Sequence, residues 1–194
     1  MDEEIRIREA GPEDAQTLLE IYRYYVDHTA VTYEYETPSL EEFQGRIRHV
    51  QEMFPYLVAE KDGEILGYAY AGAFHPRAAY AWNAEMTIYL KNGVQGKGLG
   101  TRMYMLLEEM LKAQGIVRTI GIITPPRTES EKSMYPSVAF HEKMGYSLMG
   151  RMEHCGYKFG QWYPTVWMEK IIGVPKEDME PLRNFQSIKW IFGF

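Results

Sequence analysis

The chain has 194 residues, of which 45% are hydrophobic and 14% aromatic, which excludes a disordered chain and suits one domain with a sizeable core. Its 21 basic and 27 acidic residues give a formal net charge of -6, so a nucleic-acid backbone is not an expected partner. The charged N-terminus and the lack of a long apolar run predict a cytoplasmic protein that does not associate with a membrane. Cys155 is the single cysteine and no Cys/His set has zinc-ligand spacing, so we expect neither a disulfide nor a metal site.

The first part of the chain predicts two helices and the start of a sheet. After an opening strand of alternating apolar and arginine residues, Pro12 begins a helix that continues to Val26. Ser39 with Glu42 three residues later is typical of the capping box of a second helix. The turn at residues 61–63, which contains Asp-Gly, then predicts a β-hairpin.

The second part predicts four further strands, a long helix and a short one. The predicted strands are residues 82–90, 117–124, 146–155 and 165–171, with a turn at 157–162 between the last two. The long helix follows a glycine-rich stretch, and the short one covers residues 136–144 and is stopped by Gly145. Residues 125–135 are predicted to form a long polar loop between the strand at 117–124 and the short helix. The order β-α-α-β-β-β-α-β-α-β-β predicts an α/β fold of the α+β type, a mixed sheet of about seven strands flanked by about four helices.

The most informative stretch is the glycine-rich turn between the strand that ends at Leu90 and the long helix. Its sequence is QGKGLG, residues 95–100. Glycines let a backbone approach a ligand closely, and the unpaired N–H groups at the start of a helix favour a bound phosphate. The P-loop pattern does not fit, because Lys97 precedes the last glycines, and the dinucleotide pattern fails because Thr101 occupies the place of its third glycine.

The form that remains, Q/R-x-x-G-x-G/A, resembles the pyrophosphate loop of the GNAT superfamily of N-acetyltransferases. The resemblance extends over roughly residues 5–171 and is strongest to the branch of phosphinothricin acetyltransferases and their relatives that act on methionine sulfone or sulfoximine. It rests on several motifs in the right order: PYLVAE at 55–60, YAYAGAFHPRAAYAW at 68–82, WNAEMTIYL at 82–90, QGKGLGTRMY at 95–104, PSVAFHEKMGY at 136–146 and CGYKFGQWYPTVWME at 155–169. We therefore expect a single GNAT domain over residues 1–174 and a C-terminal extension over 175–194, which packs back as a short helix, mediates association or frays.

The resemblance implies acetyl-CoA as the acetyl donor. Its pantetheine arm is expected to pair with the backbone near Ile88, Tyr89 and Leu90. Its pyrophosphate is expected on the amides of Gln95, Gly96, Lys97, Gly98, Leu99, Gly100 and Thr101. Backbone amides suit this task because they are fixed in advance and need no particular side chain.

The same resemblance implies two catalytic residues. Glu85 lies where this branch places its carboxylate base, which takes a proton from the acceptor amine. His141 lies where the branch has a histidine and many other GNAT enzymes have a tyrosine that protonates the departing thiolate. A histidine can act there as an acid or as part of a proton path.

Three further residues match substrate-side positions of the branch: Tyr33, Arg77 and Tyr80. Arg77 is suited to bind the α-carboxylate of an amino acid in bidentate fashion. The chain also departs from the branch. Met134 replaces an asparagine usually credited with a CoA contact, Gly96 replaces a basic residue, and His75 replaces a lysine near the substrate pocket.

The function expected from the resemblance is N-acetylation of a small amino acid or amino-acid analogue by direct attack in a ternary complex, with a homodimer as the expected assembly. Cys155 has no evident partner base, so an acyl-enzyme is not expected. Three alternatives remain open: a larger amine such as a polyamine, an aminoglycoside or a protein terminus as acceptor; a CoA-binding module without catalysis; and an interaction protein that uses its aromatic tail.

Overall fold

A computed structural model describes residues 5–95 and 98–194. The strands are β1 (Arg6–Glu9), β2 (Tyr56–Lys61), β3 (Glu64–Ala73), β4 (Asn83–Leu90), β5 (Arg118–Ile123), β6 (Ser147–Lys158) and β7 (Gln161–Ile171). The α-helices are α1 (Ala15–His28), α2 (Leu40–Gln51), α3 (Leu99–Gln114), α4 (Ser137–Lys143) and α5 (Phe185–Ile188). The predicted order of elements is confirmed, and α5 is added to it.

All seven strands form one sheet in the order β1-β2-β3-β4-β5-β7-β6. Every neighbouring pair is antiparallel except β4 and β5, which run parallel. This parallel pair aligns Asn83, Ala84 and Glu85 with residues 118–120 and no further. Since both strands continue beyond that point, the sheet opens there into a cleft between residues 86–90 of β4 and the end of β5.

Two cores lie on opposite faces of the sheet. On one face, α3 packs against the small residues Ala69 and Ala71 of β3, both fully buried. The small side chains allow the helix to approach the sheet closely. On the other face, α1 and α2 cover a layer of aromatic residues that includes Tyr56 and Tyr68, whose rings stack 5.7 Å apart. The face that carries each side chain follows the two-residue period of the strands.

Local signals fixed most element boundaries. Ser39 Oγ accepts a hydrogen bond from the Glu42 backbone N–H at 3.1 Å, as an N-cap should. The reciprocal half of the expected capping box is absent, because the Glu42 carboxylate accepts a hydrogen bond from Arg46 instead. Gly145 has φ of 87° just beyond α4, which is the left-handed conformation that favours glycine after a helix.

The last hairpin differs from its prediction. The expected turn at 157–162 is wrong in extent, because β6 continues to Lys158 and β7 begins at Gln161. The turn is confined to Phe159 and Gly160, with φ of 51° and 75°. Two successive residues with positive φ are characteristic of the type I′ turn, whose twist matches that of the flanking strands.

The tail beyond β7 packs back onto the domain. Phe185 is completely buried in the core beside α3, and its backbone N–H donates to the Met53 carbonyl at 3.1 Å. Lys189 forms an ion pair with Glu9 at 2.8 Å. Trp82 Nε1 donates to the Glu180 carbonyl at 3.1 Å, which ties the tail to the start of β4. Of the three alternatives for this segment, docking on the domain is the one observed.

Candidate active site

The opening between β4 and β5 holds a cavity of about 250 Å³. Its wall combines residues of β4, the end of β5, α4 and the segment between α1 and α2, with one residue each from β3 and α3. The lining residues are Val31, Thr32, Tyr70, Glu85, Met86, Thr87, Ile88, Tyr89, Tyr104, Gly121, Ile122, Ile123, Thr124, Ser137 and His141. Both expected catalytic residues and two of the expected donor-binding residues therefore line one cavity.

Glu85 is the one carboxylate among the described residues of this lining. It is half-buried on β4 at the last position where that strand pairs with β5. Burial raises the pKa of the Glu85 carboxyl above its usual range. A carboxylate with a raised pKa is a stronger base than a solvated one.

His141 lies on α4 and is 3% exposed. Its Nδ1 is 2.7 Å from the Ser137 carbonyl, which can only accept, so Nδ1 carries a proton. Its Nε2 is 2.9 Å from the Tyr104 hydroxyl. The ring fits against β5 because residue 121 is a glycine: a Cβ there would lie 2.7 Å from Nε2.

Burial lowers the pKa of His141, and the hydrogen bond to Ser137 offsets this in part. The imidazole is therefore neutral at pH 7, with Nε2 available to accept the Tyr104 proton. The Tyr104 hydroxyl also lies 3.2 Å from the Met86 carbonyl. Its single proton can go to either acceptor, so a doubly protonated His141 could donate to Tyr104 while Tyr104 donates to Met86.

The expected donor-binding residues follow one another from β4 to the start of α3. Ile88 and Tyr89 line the cavity, and the Leu90 carbonyl accepts a hydrogen bond from the Tyr25 hydroxyl at 2.6 Å. Gln95 is exposed, and its amide oxygen accepts from the Gly93 N–H at 2.9 Å. Gly96 and Lys97 lie outside the described residues.

The N-terminus of α3 has the geometry of an anion site. Gly98 is its N-cap, with φ of 78°, and a Cβ at that position would meet nothing within 4 Å. The first helical hydrogen bond is donated by Arg102 to Gly98, so the amides of Leu99, Gly100 and Thr101 precede it and have no partner within the helix. The Leu99 side chain is buried, so only its backbone can serve a ligand.

The three expected substrate residues lie apart from the cavity lining. Tyr33 donates from its hydroxyl to the Pro164 carbonyl at 3.0 Å, and its ring packs on Gly156, where a Cβ would come within 2.5 Å of it. Arg77 is exposed in the loop before β4. Tyr80 is 42% exposed, and its ring lies 4.7 Å from that of His75.

Sequence reasoning did not single out three residues that shape this site. Tyr104 and Gly121 hold His141, and Lys158 lies buried behind the segment that carries Val31 and Thr32. Tyr104 ends the motif QGKGLGTRMY, but its position in the helical repeat of α3 is that of an ordinary core residue. Nothing in the sequence marks Lys158, because a lysine in a strand pattern is normally exposed.

The described residues offer neither a metal site nor a membrane-spanning helix. Within residues 5–95 and 98–194, no group of three or more His, Cys, Asp or Glu side chains is placed to hold a metal ion. In the same part of the chain, no helix combines the length and apolar character that crossing a bilayer requires. Cys155 is a half-buried free thiol.

Comparison with known proteins gives a consistent result. Residues 7–167 match the model of the acetyltransferase (GNAT) domain family. The phosphinothricin N-acetyltransferase of Streptomyces viridochromogenes is 31% identical, over 88% of this chain and 90% of that protein. The L-methionine sulfoximine/L-methionine sulfone acetyltransferase of Pseudomonas paraeruginosa is also 31% identical, over 84% of this chain and 92% of its own.

A solved structure shows the same fold. The GNAT superfamily phosphinothricin acetyltransferase of Sinorhizobium meliloti, in complex with acetyl-CoA, superposes with a TM-score of 0.81 at 32% identity and covers 95% of this chain and 99% of its own. The family match and the identity over nearly the whole chain agree with the cleft and the helix terminus described above. The chain belongs to the GNAT family and is an acetyl-CoA-dependent N-acetyltransferase.

Proposed function

We propose that the acceptor is the amine of a small amino acid or amino-acid analogue of the phosphinothricin or methionine sulfone and sulfoximine type. The proposal is supported by the names of the relatives and by the cavity, whose volume of about 250 Å³ suits a small molecule. The observation that carries it is that Glu85 and His141 line the same cavity, at the point where β4 and β5 separate.

The donor-binding residues are the backbone of Ile88, Tyr89 and Leu90 and the turn from Gln95 to Thr101. When bound, acetyl-CoA supplies an acetyl group activated as a thioester. The left-handed Gly98 and the free amides of α3 fit its pyrophosphate, because they present N–H groups and the positive end of the helix dipole to an anion.

Glu85 acts as the general base. An ammonium with a pKa near ~10 is mostly protonated at neutral pH, so the amine must lose a proton before its nitrogen can attack the acetyl carbonyl. Glu85 takes that proton directly or through a water molecule, and its partial burial strengthens it as a base. No covalent acyl-enzyme is required.

His141 belongs to a proton path. The departing sulfur needs a proton when the carbon–sulfur bond breaks, and the lowered pKa of His141 leaves it neutral rather than poised as a charged acid. Its unprotonated Nε2 faces the Tyr104 hydroxyl. The proton that the amine nitrogen loses as it attacks passes through that hydroxyl to Nε2, and it returns by the same route to the sulfur when the carbon–sulfur bond breaks. Burial raises the pKa of Tyr104 well above its usual range, which keeps the phenol protonated between turnovers.

Tyr33, Arg77 and Tyr80 are proposed to act at the acceptor end. Arg77 is exposed beside the start of β4 and has the guanidinium needed to meet an α-carboxylate. Residues 1–174 are proposed as the catalytic domain, with 175–194 as an extension. We also propose that the protein works in the cytoplasm as a homodimer, without a metal, a nucleic acid or a membrane as partner.

One feature favours a second candidate acceptor. Among the residues that the structure describes, which do not include Lys97, the cavity lining contains one carboxylate, Glu85, and neither lysine nor arginine. A cationic acceptor such as a polyamine needs no carboxylate clamp and is attracted by the net charge of -6.

The test is release of free CoA from acetyl-CoA with a panel of amines: phosphinothricin, methionine sulfone, methionine sulfoximine, ordinary amino acids, polyamines and an aminoglycoside. Turnover confined to the amino-acid analogues is the expected result. Turnover with polyamines alone would support the second candidate. Acetyl-CoA binding with no turnover on any amine would contradict both and favour a CoA-binding module.

A further inference from the structure

Lys158 is a lysine in the interior of the protein, at the end of β6 and 2% exposed. Its ammonium donates three hydrogen bonds to backbone carbonyls: Val26 at 2.7 Å, Thr29 at 2.8 Å and Thr32 at 2.9 Å. An ammonium has three donors, so all of them are used. A buried charge is costly unless it is paired or hydrogen-bonded. Here the described partners of the ammonium are all backbone carbonyls and none is a carboxylate, which is unusual for a buried lysine.

The position of the three acceptors explains how the charge is tolerated. The Val26 carbonyl belongs to the last turn of α1, and Thr29 is the C-cap of that helix. The C-terminus of a helix carries partial negative charge, so it attracts a cation. Burial lowers the pKa of Lys158, and the nearby charges of Asp27 and Glu34 oppose that shift.

The third acceptor connects Lys158 to the active site. Thr32 and its neighbour Val31 line the cavity, and both belong to the segment between α1 and α2. The Thr32 side chain makes a further hydrogen bond to the Tyr22 hydroxyl at 2.7 Å. Lys158 thus joins the tip of the β6–β7 hairpin to the end of α1 and to a wall of the cavity.

This wall contains none of the expected donor-binding residues. The donor region lies on β4 and the N-terminus of α3, where β4 is held by pairing with β3 and by Tyr25 bound to the Leu90 carbonyl. Lys158 makes none of these contacts. The wall at Val31 and Thr32 thus differs from the donor region in the contacts that hold it, which makes it the candidate contact for the acceptor.

We propose that Lys158 is a positioning residue for the acceptor: it fixes Val31 and Thr32 where the acceptor binds, without touching the acceptor itself. The proposal rests on the acetyl-transfer function above and deepens it. It assigns part of the acceptor selectivity to a side chain outside the cavity.

The test compares Lys158→Gln and Lys158→Met with Lys112→Met. Gln retains two of the donors, Met retains none, and Lys112 is exposed on α3. We expect the acceptor KM to rise by about threefold in Lys158→Gln and by about tenfold or more in Lys158→Met, because a displaced wall misplaces the acceptor. The KM of acetyl-CoA should stay within about twofold, and the control should match the unmodified protein.

A purely structural role predicts a different result. It would lower the melting temperature and leave the two KM values unchanged, or would change both equally, and either outcome overturns the proposal. Should Lys158→Met fail to fold, Lys158→Gln decides by the same KM comparison.

Hydrogen exchange separates this proposal from the proposed function. The amides of residues 29–35 should exchange at least about tenfold faster in Lys158→Gln, while those of α3 keep their rates. If Lys158→Gln accelerates exchange equally at residues 29–35 and in α3, the proposal is overturned even if the enzyme is active. If no amine supports CoA release, the proposed function fails. The positioning role is judged separately: it is overturned if the variant's exchange is not faster at residues 29–35, or is faster only in α3.

Discussion

The proposed donor and acceptor ends of the cavity are built in different ways. The donor end consists mainly of backbone: the free edge of β4, the left-handed Gly98 and the first amides of α3. The proposed acceptor end is supported by side chains outside the cavity lining that join distant parts of the chain. Tyr33 binds the Pro164 carbonyl, Lys158 binds three carbonyls near α1, and the Tyr135 hydroxyl accepts from the Ala30 N–H at 3.2 Å.

This difference matches the two tasks proposed for the cavity, which are binding a common donor and selecting a particular acceptor. Backbone donors survive most substitutions, so the donor end can stay the same while the sequence changes. An acceptor end held by individual side chains changes its shape whenever one of them is replaced. The loop at residues 125–135 follows the second pattern: Arg127 lies 4.5 Å over the Tyr163 ring and forms an ion pair with Glu131. The long polar loop predicted there is therefore folded onto the β6–β7 hairpin.

The largest expected effect lies where the two ends meet. Glu85→Gln should lower kcat by about 10²- to 10³-fold, because the amide cannot take a proton, with little change in acetyl-CoA affinity. Since burial raises the pKa of Glu85, activity should fall as the pH drops through that raised value, and the variant should lose this acid limb. The measurement is kcat/KM from pH 5 to 9, with exposed Glu109→Gln as control. Identical profiles for both proteins would refute the role of Glu85.

A smaller effect is expected from disturbing the acceptor end alone. In Gly156→Ala the new Cβ would lie 2.5 Å from the Tyr33 ring, so Tyr33 must move. We expect a loss of stability of about 1–3 kcal/mol and a several-fold rise in the acceptor KM. Gly150→Ala is the matched control, since nothing lies within 4 Å of its Cβ. A rise in the KM of acetyl-CoA instead would show that the two ends are not separate.

The donor end can be tested by changing backbone conformation without adding a clash. Gly98→Ala meets open space but must hold φ near 78°, which costs about 1–2 kcal/mol in a residue with a Cβ. Acetyl-CoA should bind about tenfold more weakly, measured by calorimetry, while the acceptor KM is unchanged. Unaltered acetyl-CoA binding would argue against this turn as the pyrophosphate site.

The smallest effect is expected at Arg77. Arg77→Ala should raise the acceptor KM by only about two- to threefold for amino-acid analogues, because an exposed ion pair contributes little. It should not affect a polyamine, and Arg77→Lys should restore part of the loss. A KM that stays the same for amino-acid analogues would argue against the carboxylate clamp.

The sequence was most informative where the signal is local. The Asp-Gly turn of the first hairpin, the Ser39 cap and the stop at Gly145 each depend on a few adjacent residues, and all three are present. The predicted extent of the last turn was wrong because the turn contains Phe159 at positive φ, a conformation that few residues other than glycine adopt. Strand signals on either side of such a turn do not reveal where it begins.

Individual residues of the candidate site could be predicted from the sequence, but their arrangement in space could not. Glu85 and His141 were suggested by resemblance, while their meeting in one cavity depends on the limited pairing of β4 with β5. The partners of Lys158 lie 126 to 132 positions away in the chain. No local pattern encodes such contacts, so its burial became visible only in the folded structure.

The shape of β6 has a consequence for solubility. It is the outer strand of the sheet, yet its ladder is interrupted between Leu148 and Gly150 and again between Met152 and Gly156, where His154 has φ of 50°. The opposite edge strand, β1, has only four residues. Bulged or short edges are poor templates for another chain, so neither edge invites amyloid-like strand addition. We therefore predict that copies of this protein do not associate by extending one sheet across two molecules.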